Sequence, residues 1–281
     1  MRIIQTPGEM KAFASAERAS GRTLGLVPTM GYLHEGHLSL MRASAAQCDV
    51  TVSSLFVNPA QFGQNEDLDK YPRNFERDCE LAEGAGVDVM FTPTNEMMYP
   101  EGYRTYIQVE GWSGLLCGVT RPIHFRGVTT VCCKLFNICL PHRAYFGLKD
   151  AQQCLIIQKM VTDLNMDVEI VPMPLVREPD GLAMSSRNVY LTADERRDAA
   201  RISQALFAAR DMIAAGRTDA ETIRNAMAGH ITASPLARID YIELVNTRTL
   251  APASQAGPGT LVAAAVFFGA TRLIDNIIIE G

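Results

Sequence analysis

Long apolar runs are missing from this 281-residue chain, and that absence is the first constraint. The opening MRIIQTPGEMKAFAS has no apolar core of signal-peptide length. The most apolar later stretch, residues 261–270, is too short to cross a bilayer. A basic surplus is missing too. Lys and Arg number 26 against 31 Asp and Glu, a net charge of −5. That argues against a broad nucleic-acid surface, which needs clustered cations, and leaves room for one local basic pocket. None of the seven cysteines (48, 79, 117, 132, 133, 139 and 154) forms a C-x-x-C pair. An odd count in settings such as VCCKLFNICL reads as reduced core thiols, and Cys132 and Cys133 have no neighbouring base to activate them. The simplest location is the cytoplasm, with neither membrane nor nucleic acid as partner.

What is present is an ordinary globular balance, 47% hydrophobic and 20% charged, in a chain long enough for one large domain or two unequal ones. Short β-branched runs recur at 23–30, 49–57, 87–93, 144–148 and 167–172, with helical spacing at 37–47 and 75–85. This alternation predicts an α/β fold with a parallel sheet covered on both faces, where ligands gather beyond the carboxyl ends of the strands. Composition changes at Pro172-Met173-Pro174. The boundary predicted is a Rossmann-like domain over 1–175 followed by a smaller α+β domain over 176–281. In the second, Thr192 and Glu195 fit a capping box, as do Thr218 and Glu221. The helix opened by the first box would carry Ile202, Leu206, Ala209 and Ile213 on one face. Strands at 239–245, 261–268 and 273–279 complete an antiparallel sheet.

Four segments could carry chemistry. Pro28-Thr29-Met30-Gly31-Tyr32-Leu33-His34-Glu35-Gly36-His37 leads from the first buried strand into a helix, whose N-terminus suits an anion. Histidines three apart on the first turn share a face and could donate to phosphoryl oxygens as charge develops. In isolation they would read as solvated loop histidines. A zinc site is the rival, but H-E-x-x-H requires a spacing of four. Phe146-Gly147-Leu148-Lys149-Asp150 ends another strand. There Lys149 could neutralise phosphate, and Asp150 could bind a ribose or, as is commoner at that spacing, cap the next helix. Met184-Ser185-Ser186-Arg187 could clamp an anion from an interdomain loop. Asn58 and Gln61, in Phe56-Val57-Asn58-Pro59-Ala60-Gln61, offer neutral amides to a carboxylate or hydroxyl. As a bare Asn-Pro pair they would be a polar turn.

Together with VSSLFVNPAQFGQNEDLDKYPR, RPIHFRGVTTVCCKLFN and VREPDGLAMSSRNVYL, these segments resemble the pantothenate synthetase family over nearly the whole chain. His34-Glu35-Gly36-His37 is similar to the H-x-G-H signature of the class I aminoacyl-tRNA synthetase-like nucleotidyltransferases. Met184-Ser185-Ser186-Arg187 is similar to their K-M-S-K-S loop. The resemblance implies that pantoate is activated by ATP, with Mg²⁺ shielding the phosphates. Pantoyl adenylate forms and is then captured by β-alanine, with release of AMP. It further implies His34, His37 and Lys149 at the α-phosphorus, with His37 as proton donor. ATP contacts would come from Met30, Gly31, His34, His37, Gly147, Lys149, Asp150, Val176, Met184, Ser185, Ser186 and Arg187. Asn58, Gln61 and Gln153 would meet pantoate, Gln61 would also meet β-alanine, and the family expectation is a homodimer. Metal ligands stay open among Asp67, Asp69 and Asp78. Ile123, Leu148, Ala151 and Cys154 depart from the usual pattern. Rival readings are a nucleotidyltransferase that ends at nucleotide transfer, a tRNA synthetase (disfavoured by the short, acidic chain) and a non-catalytic nucleotide-binding module.

Overall fold

The computed structural model describes residues 1–64 and 66–281. The chain divides into two compact units. One comprises Met1–Gly114, Gly118–Leu148 and Gln152–Pro174; the other comprises Leu115–Cys117, Lys149–Ala151 and Leu175–Gly281. Among the described residues no helix is long and apolar enough to cross a membrane.

The first unit runs β1 (Arg2–Ile4), α1 (Pro7–Ala19), β2 (Leu24–Thr29), α2 (Glu35–Gln47), β3 (Val50–Leu55), α3 (Phe75–Gly84), β4 (Val89–Phe91), α4 (Asn95–Met98), α5 (Cys117–Thr120), α6 (His124–Cys139), β5 (Arg143–Gly147), α7 (Ala151–Asp163) and β6 (Glu169–Met173), with α5 and α7 each contributing a first residue to the other unit. Its sheet has the order β1-β4-β3-β2-β5-β6 with every pairing parallel. The chain builds outward from β2 to β3 and β4, then crosses back to place β5 on the other side of β2. That reversal is a topological switch point, where helices leave in opposite directions and open a crevice. The strands expected between residues 23 and 172 are all present, with ends moved by one or two residues. Helices cover both faces, so β2 and β3 are buried along nearly their whole length. One face is filled by Val27, Leu33, Met41, Val87, Met90 and Tyr145. Cys132 is buried as anticipated, and burial pushes its thiol up to about 12, which makes it inert near neutral pH. Cys133 is a correction: it is only half-buried and accepts a hydrogen bond from Asn137 Nδ2.

The second unit carries α8 (Ala193–Ala199), α9 (Arg201–Ala214) and α10 (Ala220–Thr232). They pack on an antiparallel sheet β7 (Ala237–Asn246), β8 (Thr260–Phe268) and β9 (Thr271–Ile278), in the order β7-β8-β9. Leu206, Ile223, Ile231, Leu244, Val266 and Phe268 fill its core. The Thr192–Glu195 capping box forms, but its helix is only α8. The apolar face predicted for it belongs to α9, which starts after a break at Ala200, and Met212 is buried there while Ile213 is only half-buried. The second predicted box is corrected. Asp219 caps α10 by accepting from Thr222 N–H, because the Thr218 hydroxyl is drawn to Gln255 Oε1 at 2.6 Å.

Candidate active site

In the first unit the predicted residues collect at the carboxyl ends of β2, β3 and β5. His34 is the N-cap of α2 and His37 its third residue. His34 Nδ1 accepts the Gly36 N–H at 3.2 Å, and His37 Nδ1 accepts the His34 N–H at 3.3 Å. The side chains thus satisfy two of the donors a helix start leaves open. The consequence is chemical. An imidazole nitrogen that accepts carries no proton, so in each neutral ring the proton sits on Nε2, which is a donor. The ring centroids lie 4.1 Å apart. Gly36 is required between them, since a Cβ there would stand 2.9 Å from His34 Cε1.

The loop delivering the pair is held by a residue from another helix. Asp78 of α3 is 1% exposed and accepts the N–H groups of Tyr32 and Leu33, both at 2.7 Å, on its two carboxylate oxygens. Tyr32 has φ +51°, a conformation costly for a side-chain-bearing residue, and the two charge-assisted bonds offset that cost. Arg77 adds a bond to Leu33 O at 3.0 Å and lies over the Tyr32 ring. Asp78 was a candidate metal ligand; its oxygens are committed to the backbone instead. Among the described residues no three His, Cys, Asp or Glu are grouped to hold a metal.

Asn58 and Gln61 sit on a short 3-10 turn, Pro59–Gln61, beyond β3, and are 1% and 7% exposed. Asn58 Oδ1 accepts from Tyr99 Oη at 2.7 Å and Ala60 N–H at 3.3 Å. Its Nδ2 donates to Gly127 O and Gln61 Oε1, both at 3.1 Å. Gln61 Nε2 donates to Met30 Sδ at 3.1 Å, which joins three of the predicted residues in one chain of contacts. The turn is backed by the start of α6. His124 Nδ1 bonds Gln61 O at 3.1 Å, necessarily as donor, and Arg121 reaches the same carbonyl while paired with Glu66. Gly127 permits the approach, because a Cβ would fall 2.3 Å from Ala60 O. Ile123 starts α6 at φ −96°, ψ −9°, an ordinary conformation for isoleucine. Gly147 ends β5, and Gln153 lies in the first turn of α7. Ala151 and Cys154, unusual against the family pattern, are buried.

A cavity of about 420 Å³ opens beyond β2, β3 and β4, near Phe75, Thr94 and Glu96. Met30, Gly31 and Asp78, all singled out from the sequence, line it.

The second unit holds the remaining predicted residues. Lys149 follows the end of β5, as expected, within a 3-10 turn, Leu148–Asp150, with Nζ 3.6 Å from Asp150 Oδ1 and its carbonyl accepting from Asn276 Nδ2 at 2.9 Å. Residues 176–184 form a hairpin closed by Met184 N–H to Val176 O at 3.0 Å and the Arg177–Ala183 bridge. Arg177 grips buried Asp275 with two bonds, at 2.6 and 2.9 Å. Ser185 caps the following 3-10 turn, Ser186–Tyr190, by accepting the Arg187 N–H at 3.2 Å. Ser186 is buried at 8% exposure.

A family model described as Pantoate-beta-alanine ligase matches residues 2–278. The chain belongs to this ligase family. The ligase is 57% identical to the pantothenate synthetase of Acetivibrio thermocellus across the whole of both chains, and 55% identical to that of Moorella thermoacetica over 100% of this chain and 99% of the relative. Its fold is similar to the crystal structure of pantothenate synthetase from Thermus thermophilus, with TM-score 0.95, 44% identity and complete coverage of both chains. It is also similar to a pantoate-β-alanine ligase from Francisella tularensis complexed with β,γ-ATP and β-alanine, with TM-score 0.80 and 32% identity over 99% and 97% of the two chains. These full-length matches select an acid–amine ligase joining pantoate to β-alanine over the nucleotidyltransferase and non-catalytic readings. Tyr99, His124 and Gly127, which bond the Asn58–Gln61 turn, were not singled out from the sequence. His124 and Gly127 do lie in the RPIHFRG segment that carried the resemblance.

Proposed function

We propose that the ligase condenses pantoate with β-alanine through pantoyl adenylate, with ATP taken as its magnesium complex. The carboxylate attacks the α-phosphorus and pyrophosphate leaves; the amine then attacks the acyl carbon and AMP leaves. The observation that carries the reading is the histidine pair at the N-terminus of α2, beside the switch point, with both Nδ1 atoms accepting backbone N–H groups. Each neutral ring then offers Nε2–H, as a group stabilising a pentavalent phosphoryl centre must. On the resemblance to the family, His37 is assigned the proton-donor role, with His34 and Lys149 sharing the developing charge.

Met30, Gly31, Gly147, Asp150 and Val176 are assigned to the adenosine side, and Met184, Ser185, Ser186 and Arg187 to the outer phosphates. Gln61 and Gln153 meet pantoate, and Gln61 lies next to incoming β-alanine. Asn58, with two bonds accepted and two donated, acts behind Gln61. Phosphate oxygens are the magnesium ligands in this reading, since the commitment of Asp78 to the backbone removes the most buried carboxylate candidate. Residues 1–175 bind ATP and pantoate, and 176–281 serve as a lid. The working form is a cytoplasmic homodimer.

The test is pyrophosphate–ATP exchange with magnesium and no β-alanine. Exchange that requires pantoate supports the adenylate route, and stoichiometric AMP should follow when β-alanine is added. Pantoate-independent exchange, or none from a folded enzyme that binds ATP, refutes it.

A further inference from the structure

Two backbone groups decide how the buried amides beyond β3 are turned. The Ala60 N–H can only donate, so the atom of Asn58 facing it must be the oxygen. The Gly127 carbonyl can only accept, so the atom facing it must be the nitrogen. With Asn58 fixed in this sense, Tyr99 must donate its hydroxyl proton to Asn58 Oδ1, and Gln61 must turn Oε1 toward Asn58 Nδ2. The Nε2–H₂ group of Gln61 is what remains, and it points toward Met30. The Tyr99 bond, at 2.7 Å, is the shortest of the four that Asn58 makes.

We infer that Tyr99 is a positioning residue for the acid substrate: its hydroxyl locks Asn58 in the sense the two backbone groups select, so that Gln61 presents N–H donors, rather than its carbonyl, to the carboxylate or hydroxyl oxygens of pantoate. This rests on the assignment of Gln61 to pantoate made above. Tyr99 is well placed to hold still. Its ring meets Phe56 at 6.4 Å and packs edge-on against Tyr103 at 5.1 Å, and Tyr103 meets Tyr106 in the same way at 5.5 Å. Lys134 lies over the Tyr99 and Tyr103 rings. Burial pushes the Tyr99 phenol above its ordinary value, so it keeps its proton, and its donor role, throughout the working pH range.

The experiment compares wild type with Tyr99→Phe, Gln61→Ala, the double variant and Tyr103→Phe by pyrophosphate exchange, varying pantoate and ATP separately. Tyr99→Phe removes one oxygen and leaves the aromatic stack. The result expected is a pantoate KM raised about five- to tenfold, the worth of one buried hydrogen bond, with the ATP KM unchanged. No further rise is expected when the substitution is added to Gln61→Ala, and Tyr103→Phe should behave as wild type. Effects of Tyr99→Phe and Gln61→Ala that multiply, or equal rises in both KM values, overturn the relay and leave Tyr99 a packing residue. A pantoate KM insensitive to Gln61→Ala removes the underlying assignment of Gln61. Sensitivity to Gln61→Ala without sensitivity to Tyr99→Phe removes only the role of Tyr99. Should Tyr99→Phe fail to fold, Asn58→Asp tests the relay from its middle. It sets an oxygen against Gln61 Oε1, and an unchanged pantoate KM in that variant also overturns the relay.

Discussion

Replacing Asp78 by Asn tests whether the histidine pair depends on a carboxylate that touches no substrate in our reading. Both oxygens of Asp78, itself 1% exposed, accept backbone N–H groups at 2.7 Å, from Tyr32 and Leu33. A hydrogen bond to a charged group contributes about 1.5–3 kcal/mol. Asparagine keeps one acceptor, now neutral, and turns a donor toward the other N–H, which is left buried and unsatisfied. The loss should be about 2–4 kcal/mol of stability. Released from its anchor, the Met30–Leu33 segment would relax the left-handed Tyr32, and the two rings that follow it would shift. A displacement of about 1 Å at reacting groups costs on the order of 10²-fold in rate. Urea unfolding should therefore show a lower midpoint at unchanged slope. Pantoate-dependent pyrophosphate exchange should fall in kcat far more than in either KM. If Asp78 instead bound the metal, Asp78→Asn would raise the magnesium requirement and leave the unfolding midpoint alone, and that result would refute the reasoning.

His37→Ala should cost about 2–4 kcal/mol of transition-state stabilisation, read as lost kcat in exchange; adenylate formed at the native rate would remove it from the mechanism. Gly127→Ala drives a methyl group into Ala60, 2.3 Å from its carbonyl oxygen, where only backbone can move. It should cost about 1–3 kcal/mol in thermal stability and raise the pantoate KM, because the Asn58–Gln61 turn must retreat. The acid limb of stability should run partly through Asp180, whose hydrogen bond from Arg196 holds its carboxyl below the usual range. With the folded value depressed, that contribution is present above the ordinary carboxylate pKa and is lost as pH falls through the folded one. The difference in melting temperature between wild type and Arg196→Met should therefore shrink on going from pH 5 to pH 3. A difference that grows would contradict the sign.

The strands read from local pattern were found where expected, and features set by distant contacts were not. The runs that became β2, β3 and β5 were legible because strands buried on both faces cannot hide their β-branched continuity. The histidines were legible because their spacing and the following helix lie within ten residues. Asn58 and Gln61 were found as polar residues after a strand. The saturation of Asn58 was invisible, since Tyr99 is 41 residues away and Gly127 is 69. Asp78 was noticed only as a carboxylate; its partners lie 45 and 46 residues back, so no local rule could assign it to the backbone. Helix α1 carries legible local signals of its own, a Thr6 cap and Pro7 at the first position. The displaced cap at Asp219 has a similar cause: Gln255, far along the chain, claims the Thr218 hydroxyl.

The residues gathered around Gln61 also bear on why an amide, rather than an arginine, would meet the nucleophile. A carboxylate that must attack phosphorus loses nucleophilicity when a full positive charge is bonded to it, whereas a neutral N–H orients it at smaller cost. Arg121 is the cation that touches Gln61, and it does so at the backbone carbonyl while its guanidinium is bonded to Glu66 through Nε at 2.9 Å. Its charge is offset by a carboxylate, and its geometric role is to hold the turn in place. In our reading, positive character is supplied instead on the phosphate side, by the start of α2, Lys149 and Arg187. Glu66→Gln separates the two demands. It leaves the turn anchored by His124 and Gly127 but frees the charge of Arg121. Pantoate should then bind more tightly or as tightly while adenylation slows. Faster adenylation with the charge released would show that charge on the acid side assists the reaction, and the division argued from these contacts would fail.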